Sequence, residues 1–132
     1  MNVDNELQRK IQLKILEIVL EIDRICEKHN IKYYLAYGTA IGAVRHSGFI
    51  PWDDDADIQM FKEDFIKFKE VCKTELGDKY FFQDWDTDKG YKSFLPKIRI
   101  NNTAFVEGGS KDWDMHQGIY VDIFILDECP DN

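Results

Sequence analysis

The chain has 132 residues, with 25 acidic and 17 basic side chains and a formal charge of −8 at pH 7. This charge would repel a phosphate backbone, and no basic run offsets it, so the composition argues against nucleic acid as a partner. A content of 44% hydrophobic and 14% aromatic residues excludes a disordered chain, and the length predicts a single domain, residues 1–132, with one core.

The first predicted element is an amphipathic helix from Asn5 to about His29. Its apolar residues recur at helical spacing between charged ones: Leu7, Ile11, Ile15, Ile18, Ile22 and Ile25. Asn5 followed by Gln8 is typical of a capping box, and Asn30 suits the left-handed residue that ends many helices. The apolar stripe is expected to pack on the core.

Two strand-and-helix units follow. IKYYLAYG, residues 31–38, is rich in β-branched and aromatic residues and predicts a strand, and TAIGAVRH, residues 39–46, predicts a short helix. ADIQMF, residues 56–61, alternates like a strand. KEDFIKFKEVCKTEL, residues 62–76, has helical spacing until Gly77 ends it.

Four short strand-like runs occupy the rest of the chain: KYFFQDW (79–85), SFLPKIRI (93–100), TAFVE (103–107) and GIYVDIFIL (118–126). Turn-forming segments separate them. Helices early and strands late predict an α+β fold, with a mixed β-sheet and helices packed mainly on one face.

The stretch YGTAIGAVRHSGFIPWDDDADI, residues 37–58, concentrates Asp53, Asp54, Asp55 and Asp57. A solvated acidic turn is one interpretation. Asp55 and Asp57, however, are separated by one residue at the mouth of a predicted strand, so their carboxylates would point to the same side. Two such charges raise each other's pKa unless a cation lies between them. This spacing predicts a divalent metal site with a phosphate ester as ligand.

Gly38 and Thr39 lie at the predicted strand-to-helix junction of the same unit. The free N–H groups of a helix N-terminus and the Thr39 hydroxyl could face an anion, and glycine permits a close approach. A plain turn with a helix cap is the alternative. The nearby aspartates favour a phosphate-binding role.

Three segments in this order resemble the LicD family, which includes bacterial phosphocholine transferases and is related to the fukutin-type proteins. They are YGTAIGAVRHSGFIPWDDDADI, KIRINNT and GIYVDIFILD, and the resemblance covers roughly residues 15–127. It implies a nucleotidyltransferase-like fold of the DNA polymerase β type. Gly38 and Thr39 then occupy the Gly-Ser/Thr position of that fold, and Asp55 and Asp57 occupy its metal-binding Asp-x-Asp.

The resemblance also assigns a third carboxylate, Asp122 in YVDIF. Burying an isolated charge on such an apolar strand would be costly, although a solvated strand face remains an alternative. By resemblance, Asp55, Asp57 and Asp122 are the catalytic residues and hold Mg²⁺ or Mn²⁺. Asp122 could also act as the general base. Ile125 stands where family members often have proline.

For function, the resemblance implies transfer of phosphocholine, or a related phospho-substituent, from a CDP-activated donor such as CDP-choline to a hydroxyl of a cell-surface glycan. Two alternatives stay open: a nucleotidyltransferase that adds a nucleotide to a small hydroxyl acceptor, and a non-catalytic nucleotide-binding or interaction domain. Family members usually continue beyond this point, so we expect either a catalytic core or a truncated chain that lacks the region contacting base and acceptor.

Further candidates have weaker support. Lys97 and Arg99 would share one face of a strand and could neutralise donor phosphates, or they are ordinary surface charges. Arg45 could reach the pyrophosphate or complement the dipole of its own helix. Trp52 could stack on the nucleotide or choline, or belong to the core. Asp53 and Asp54 could support the metal ligands or be solvated neighbours.

Apolar runs such as IYVDIFIL are too short to span a bilayer, so no transmembrane segment is predicted. We expect no signal peptide, and Cys26, Cys72 and Cys129 lack metal-ligand spacing, which indicates reduced thiols. The prediction is a cytoplasmic location, with peripheral contact at the inner face of the membrane.

Overall fold

The computed structural model describes residues 3–129, with side chains from Asn5 onward. This part contains three helices and five strands: α1 (Val3–Lys28), β1 (Tyr34–Leu35), α2 (Tyr37–His46), β2 (Asp57–Phe61), α3 (Lys62–Glu75), β3 (Tyr80–Gln83), β4 (Lys97–Ile100) and β5 (Tyr120–Leu126). The sheet has the order β1-β2-β5-β4-β3. Strands β2 and β5 are parallel, and every other pair is antiparallel. The predicted α+β fold with a mixed sheet is confirmed.

Helices α1 and α3 pack on each other and against the central strands. The core joins the isoleucine stripe of α1 to alternate residues of the strands: Ile15, Ile18, Ile22, Ile25, Ile58, Met60, Ile98, Ile100, Val121 and Ile123. Each of these side chains is at most 2% exposed, and burying one contributes roughly 1.5–3 kcal/mol. Because strand residues alternate between faces, the residues between them point to the opposite side of the sheet. The described residues contain no helix both long and apolar enough to cross a membrane.

The two ends of α1 compare differently with the prediction. Asn30 adopts the left-handed conformation (φ 56°), and the Ile31 N–H donates to the Cys26 carbonyl at 2.9 Å, so the predicted C-terminal signal is confirmed. The helix begins at Val3, which places Asn5 within its first turn. The predicted capping box at Asn5 and Gln8 is therefore wrong.

The strand predicted over residues 31–38 is reduced to β1, because α2 already begins at Tyr37. Tyr37 takes a positive φ of 51°, which ends the extended chain. No strand forms over residues 103–107; Asn102 has a φ of 62° and turns the chain away from the sheet after β4. Gly77 follows the end of α3, but it does not adopt the left-handed conformation.

A buried charge lies at the end of β3. The Asp84 side chain is 1% exposed; its Oδ1 accepts hydrogen bonds from the N–H groups of Asp86 (2.9 Å) and Thr87 (3.1 Å). Lys69 Nζ lies 2.7 Å from Asp84 Oδ2. Burial opposes ionisation of this carboxyl, but Lys69 and the two N–H groups outweigh it and hold the pKa of Asp84 below its usual range.

Replacing Asp84 by Asn should lower the free energy of unfolding by about 1–3 kcal/mol at pH 7, because the network of Lys69 and the two N–H groups loses its negative charge. Since the folded-state pKa of Asp84 is lowered, the stabilisation is present above the unfolded pKa of about 3.9 and is lost as pH falls through the folded pKa. Urea unfolding at pH 7 and pH 3 measures this, with exposed Asp78→Asn as the control. The prediction would be contradicted if the wild type and the Asp84→Asn variant differed in free energy of unfolding by the same amount at both pH values.

Candidate active site

Polar side chains form one row across four strands on the sheet face away from α1 and α3. Asp57 of β2 is in register with Asp122 of β5, Asp122 with Lys97 of β4, and Lys97 with Gln83 of β3. Their neighbours along each strand face the core, so these four side chains point to the same side. The Asp122 N–H also donates to the carbonyl of Ala56, directly before Asp57, at 3.2 Å. Pairing of β2 with β5 therefore brings two distant aspartates together.

Lys97 is the cation that partners this row. Its Nζ donates a hydrogen bond to Asp122 Oδ1, and the lysine is only 7% exposed. Burial raises the pKa of Asp122, while the charge of Lys97 opposes that rise. Partial desolvation, and then the negative charge of Asp122, raise the pKa of Asp57 to about 6. One ammonium therefore faces two crowded carboxylates, which leaves the row with excess negative charge.

The other aspartates lie on the loop before β2. One oxygen from each of Asp53, Asp54 and Asp55 lies within 4.8 Å of the others. Among the described residues, no other three His, Cys, Asp or Glu side chains lie this close together. Asp55 is exposed, yet partial desolvation, a hydrogen bond with Asp53 and the neighbouring charges raise its pKa to about 7. Asp53 is half-buried. This cluster adjoins the row because Asp55 precedes Asp57 by two residues.

The predicted ligand set is thus divided between two adjacent groups. Asp55 lies with its loop neighbours Asp53 and Asp54, whereas Asp57 lies beside Asp122. The charge of Asp57 contributes to the raised pKa of Asp55, which links the two groups. The structure therefore pairs Asp57 with Asp122 and leaves Asp55 in the adjacent loop cluster, so within residues 3–129 the three predicted ligands do not form one closely spaced triad.

Gly38 and Thr39 occupy the first turn of α2, next to these carboxylates. The Thr39 hydroxyl accepts a hydrogen bond from the Asp57 N–H at 2.8 Å, and the Thr39 N–H donates to the Ala36 carbonyl at 3.1 Å. The expectation of a free N–H at Thr39 is therefore wrong, because this N–H closes a turn. A Cβ at Gly38 would lie 3.0 Å from Asp53 Oδ2, so glycine permits this carboxylate to approach α2.

Gln12 of α1 anchors the acidic loop, a role that the sequence analysis missed. It is 2% exposed, and its Nε2 donates to the carbonyls of Ile50 (3.3 Å), Pro51 (3.3 Å) and Asp53 (2.7 Å). A signal was present, because Gln12 lies three residues before Ile15 on the apolar stripe. A polar side chain on such a stripe needs a buried partner.

Lys97 and Arg99 lie on one face of β4, as predicted, but the alternative of ordinary surface charges is wrong because both are buried. Arg99 is 2% exposed; its Nε donates to Gln83 Oε1 at 2.6 Å and its Nη1 to the Gly118 carbonyl at 2.5 Å. The guanidinium lies 4.7 Å from the centroid of the Tyr120 ring. Arg99 is thus held beside the row by two hydrogen bonds.

Arg45 and Trp52 lie farther from the carboxylate row. Arg45 is exposed in the last turn of α2, about 10 Å along the helix axis from Gly38. This position suits the alternative in which its charge complements the helix dipole. Trp52 is 74% exposed, so a core role for Trp52 is wrong; its ring lies edge-on to His46, with centroids 6.5 Å apart.

Replacing Gln12 by Leu should free the acidic loop, because three loop carbonyls lose their donor. The expected cost is about 1–3 kcal/mol in the free energy of unfolding, with faster amide hydrogen exchange over residues 48–56 and unchanged exchange in β5. Hydrogen-exchange mass spectrometry measures both regions. Lys10→Leu places the same side chain at an exposed position of α1 and is the control. Exchange of the loop at the wild-type rate in the Gln12 variant would refute the anchoring role.

Known proteins match most of this chain. Residues 30–128 match the family described as LicD/FKTN/FKRP, nucleotidyltransferase domain. The lipopolysaccharide cholinephosphotransferase LicD of Haemophilus influenzae is 35% identical over 123 residues, which cover 92% of this chain and 45% of that protein. An uncharacterized protein of Rickettsia typhi is 40% identical over 65 residues, covering 49% of this chain and 21% of that protein.

A shorter match involves a mammalian protein. The human ribitol 5-phosphate transferase FKRP is 34% identical over 53 residues, which cover 40% of this chain and 11% of that protein. The chain thus spans less than half the length of each of these relatives.

Proposed function

This chain belongs to the LicD/FKTN/FKRP family, and we propose that it is a phosphotransferase domain that moves phosphocholine from CDP-choline to a hydroxyl of a cell-surface glycan. The choice of phosphocholine and of a glycan rests on the similarity to the lipopolysaccharide cholinephosphotransferase of Haemophilus influenzae. The observation that carries the proposal is the pairing of Asp57 with Asp122 beside the buried Lys97. We also propose that the chain has a nucleotidyltransferase fold, because the matching family is a nucleotidyltransferase domain family.

Metal dependence is part of the proposal. Asp55, Asp57 and Asp122 offer hard carboxylate oxygens, the ligand type that Mg²⁺ and Mn²⁺ prefer. The raised pKa of each of the three carboxyls supports the fit, because a partly desolvated group of like charges is relieved by a cation. A divalent cation held there would offset the charge of the diphosphate and lower the pKa of the acceptor hydroxyl.

The chain's own residues position these groups. The Thr39 hydroxyl accepts a hydrogen bond from the Asp57 N–H. This contact fixes the backbone at the start of β2 and so limits the positions that the Asp57 carboxylate can take. Lys97 orients Asp122 and supplies positive charge for a donor phosphate at the same place. Because phosphoryl transfer depends mainly on positioning and charge neutralisation, such an arrangement suits the reaction.

The transfer step follows from this placement. The acceptor oxygen bonds to the phosphorus that carries choline, and the bond from that phosphorus to the bridging oxygen breaks. The electron pair of the broken bond stays on the departing CMP. The hydroxyl proton passes to a carboxylate oxygen of Asp122, which acts as the general base.

Replacing Asp57 or Asp122 by Asn should weaken Mg²⁺ binding, because a charged metal ligand is removed. The loss in affinity should exceed the roughly 10–100-fold that follows when only a hydrogen-bond partner of a metal ligand is removed. Isothermal calorimetry with Mg²⁺ alone measures this. Asp86→Asn removes the same charge from a side chain that is 76% exposed, and should bind Mg²⁺ as the wild type does. Equal heats in all four proteins would exclude this metal site.

A donor screen tests the proposed reaction. The protein is incubated with a glycan acceptor and CDP-choline, CDP-ribitol, CDP-glycerol or nucleoside triphosphates, and the released phosphate compound is identified. We expect CMP from CDP-choline, with phosphocholine on the glycan, and a loss of at least about 100-fold in rate for Asp57→Asn. Release of pyrophosphate with a nucleotide attached to the acceptor would instead identify a nucleotidyltransferase. The absence of transfer from every donor would contradict the proposed transferase activity.

A further inference from the structure

A cavity of about 320 Å³ opens on the same face of the sheet, next to Lys97. Its lining includes the cations Lys97 and Arg99, the carboxylate of Glu107 and the aromatic rings of Tyr91 and Trp113. A site with both signs of charge and aromatic walls differs from the acidic region around Asp57. We call it the head-group cavity.

The charges of the head-group cavity are separated by one side chain, Tyr120. Lys97 Nζ lies 4.4 Å from the centroid of the Tyr120 ring, and the Tyr120 hydroxyl donates to Glu107 Oε1 at 2.8 Å. The Tyr120 side chain therefore lies between the Lys97 ammonium and the Glu107 carboxylate. Lys97 also contacts Asp122, so the cationic end adjoins the candidate active site.

Trp113 adds a surface for a cation. The ammonium of Lys92 lies 5.9 Å from the centroid of its ring, which is within cation–π range. Lys92 is exposed, so a ligand cation can replace it at small cost. An aromatic face near a carboxylate is the chemistry that recognises a quaternary ammonium, whereas a neutral polyol lacks the cation that these two groups bind.

We infer that the head-group cavity binds the phosphocholine part of the donor as a zwitterion. Its phosphate lies toward Lys97, and its trimethylammonium group lies toward Glu107 and Trp113. Phosphate and ammonium are joined by a two-carbon chain, which suits charges separated by one tyrosine. The inference rests on the proposed function and deepens it, because it makes Glu107 and Trp113 the residues that select the transferred group.

Binding without turnover tests this inference. Calorimetry compares phosphocholine with 3,3-dimethylbutyl phosphate, in which a neutral carbon replaces the ammonium nitrogen. The wild type should prefer phosphocholine by about tenfold, and Glu107→Gln and Trp113→Leu should each reduce the ratio to about threefold or less. Glu107→Gln retains an oxygen that can accept the Tyr120 hydrogen bond, so it removes mainly the charge.

Lys92→Gln is the matched control, because it removes a competing cation from the Trp113 ring and should keep or increase the preference. The ratio of two affinities within one variant does not depend on how much of the protein is folded. Equal affinities in the wild type, or an unchanged preference in both the Glu107 and the Trp113 variants, would overturn the inference.

The transfer assay separates this inference from the proposed function. A wild-type preference for phosphocholine that the variants lose, with no transfer from any donor, would support the cavity and reject the reaction. Transfer from CDP-choline and CDP-glycerol in a ratio that Glu107→Gln and Trp113→Leu leave unchanged would support the reaction and reject the cavity's role.

Discussion

The parallel pairing of β2 with β5 is the constraint on which the candidate site depends. It places Asp57 beside Asp122 at partly desolvated positions, where two like charges oppose folding. Lys97 offsets part of this cost from the neighbouring strand. The remaining negative charge is a local instability, which a bound cation would reduce.

The scaffold holds this charged face from several directions. Gln12 reaches from α1 to three carbonyls of the acidic loop, and Thr39 ties the start of α2 to the start of β2. On the face of β4 that carries Lys97, Arg99 joins Gln83 to the Gly118 carbonyl. These contacts connect each loop that carries a candidate residue to an element of the apolar core, which limits the freedom of the charged side chains.

The site divides into two chemical regions that meet at the contact between Lys97 and Asp122. The acidic region comes from the loop between α2 and β2, from β2 and from β5, and in the proposed function it suits a cation with a diphosphate. The head-group cavity comes from the loop before β4, from β4 and from the loop before β5, and its mixed charges and aromatic rings suit a zwitterion. A donor that contains both a diphosphate and a charged head group would span the two regions, so its orientation would select the phosphorus that is attacked.

The amino-acid sequence by itself determined the amphipathic α1, the α3 helix, most strands and the α+β class, because these follow from local periodicity and residue preference. It also identified the charged motifs and, through their order, the family. Only the tertiary structure decided which charged side chains meet. The strand register places Asp57 beside Asp122, and Asp122 beside Lys97. Lys97 and Arg99, which could have been ordinary surface charges, are buried and pair with other residues of the sheet. No local pattern encodes strand register or the hydrogen bonds of Gln12, since both arise from packing between segments far apart in the chain.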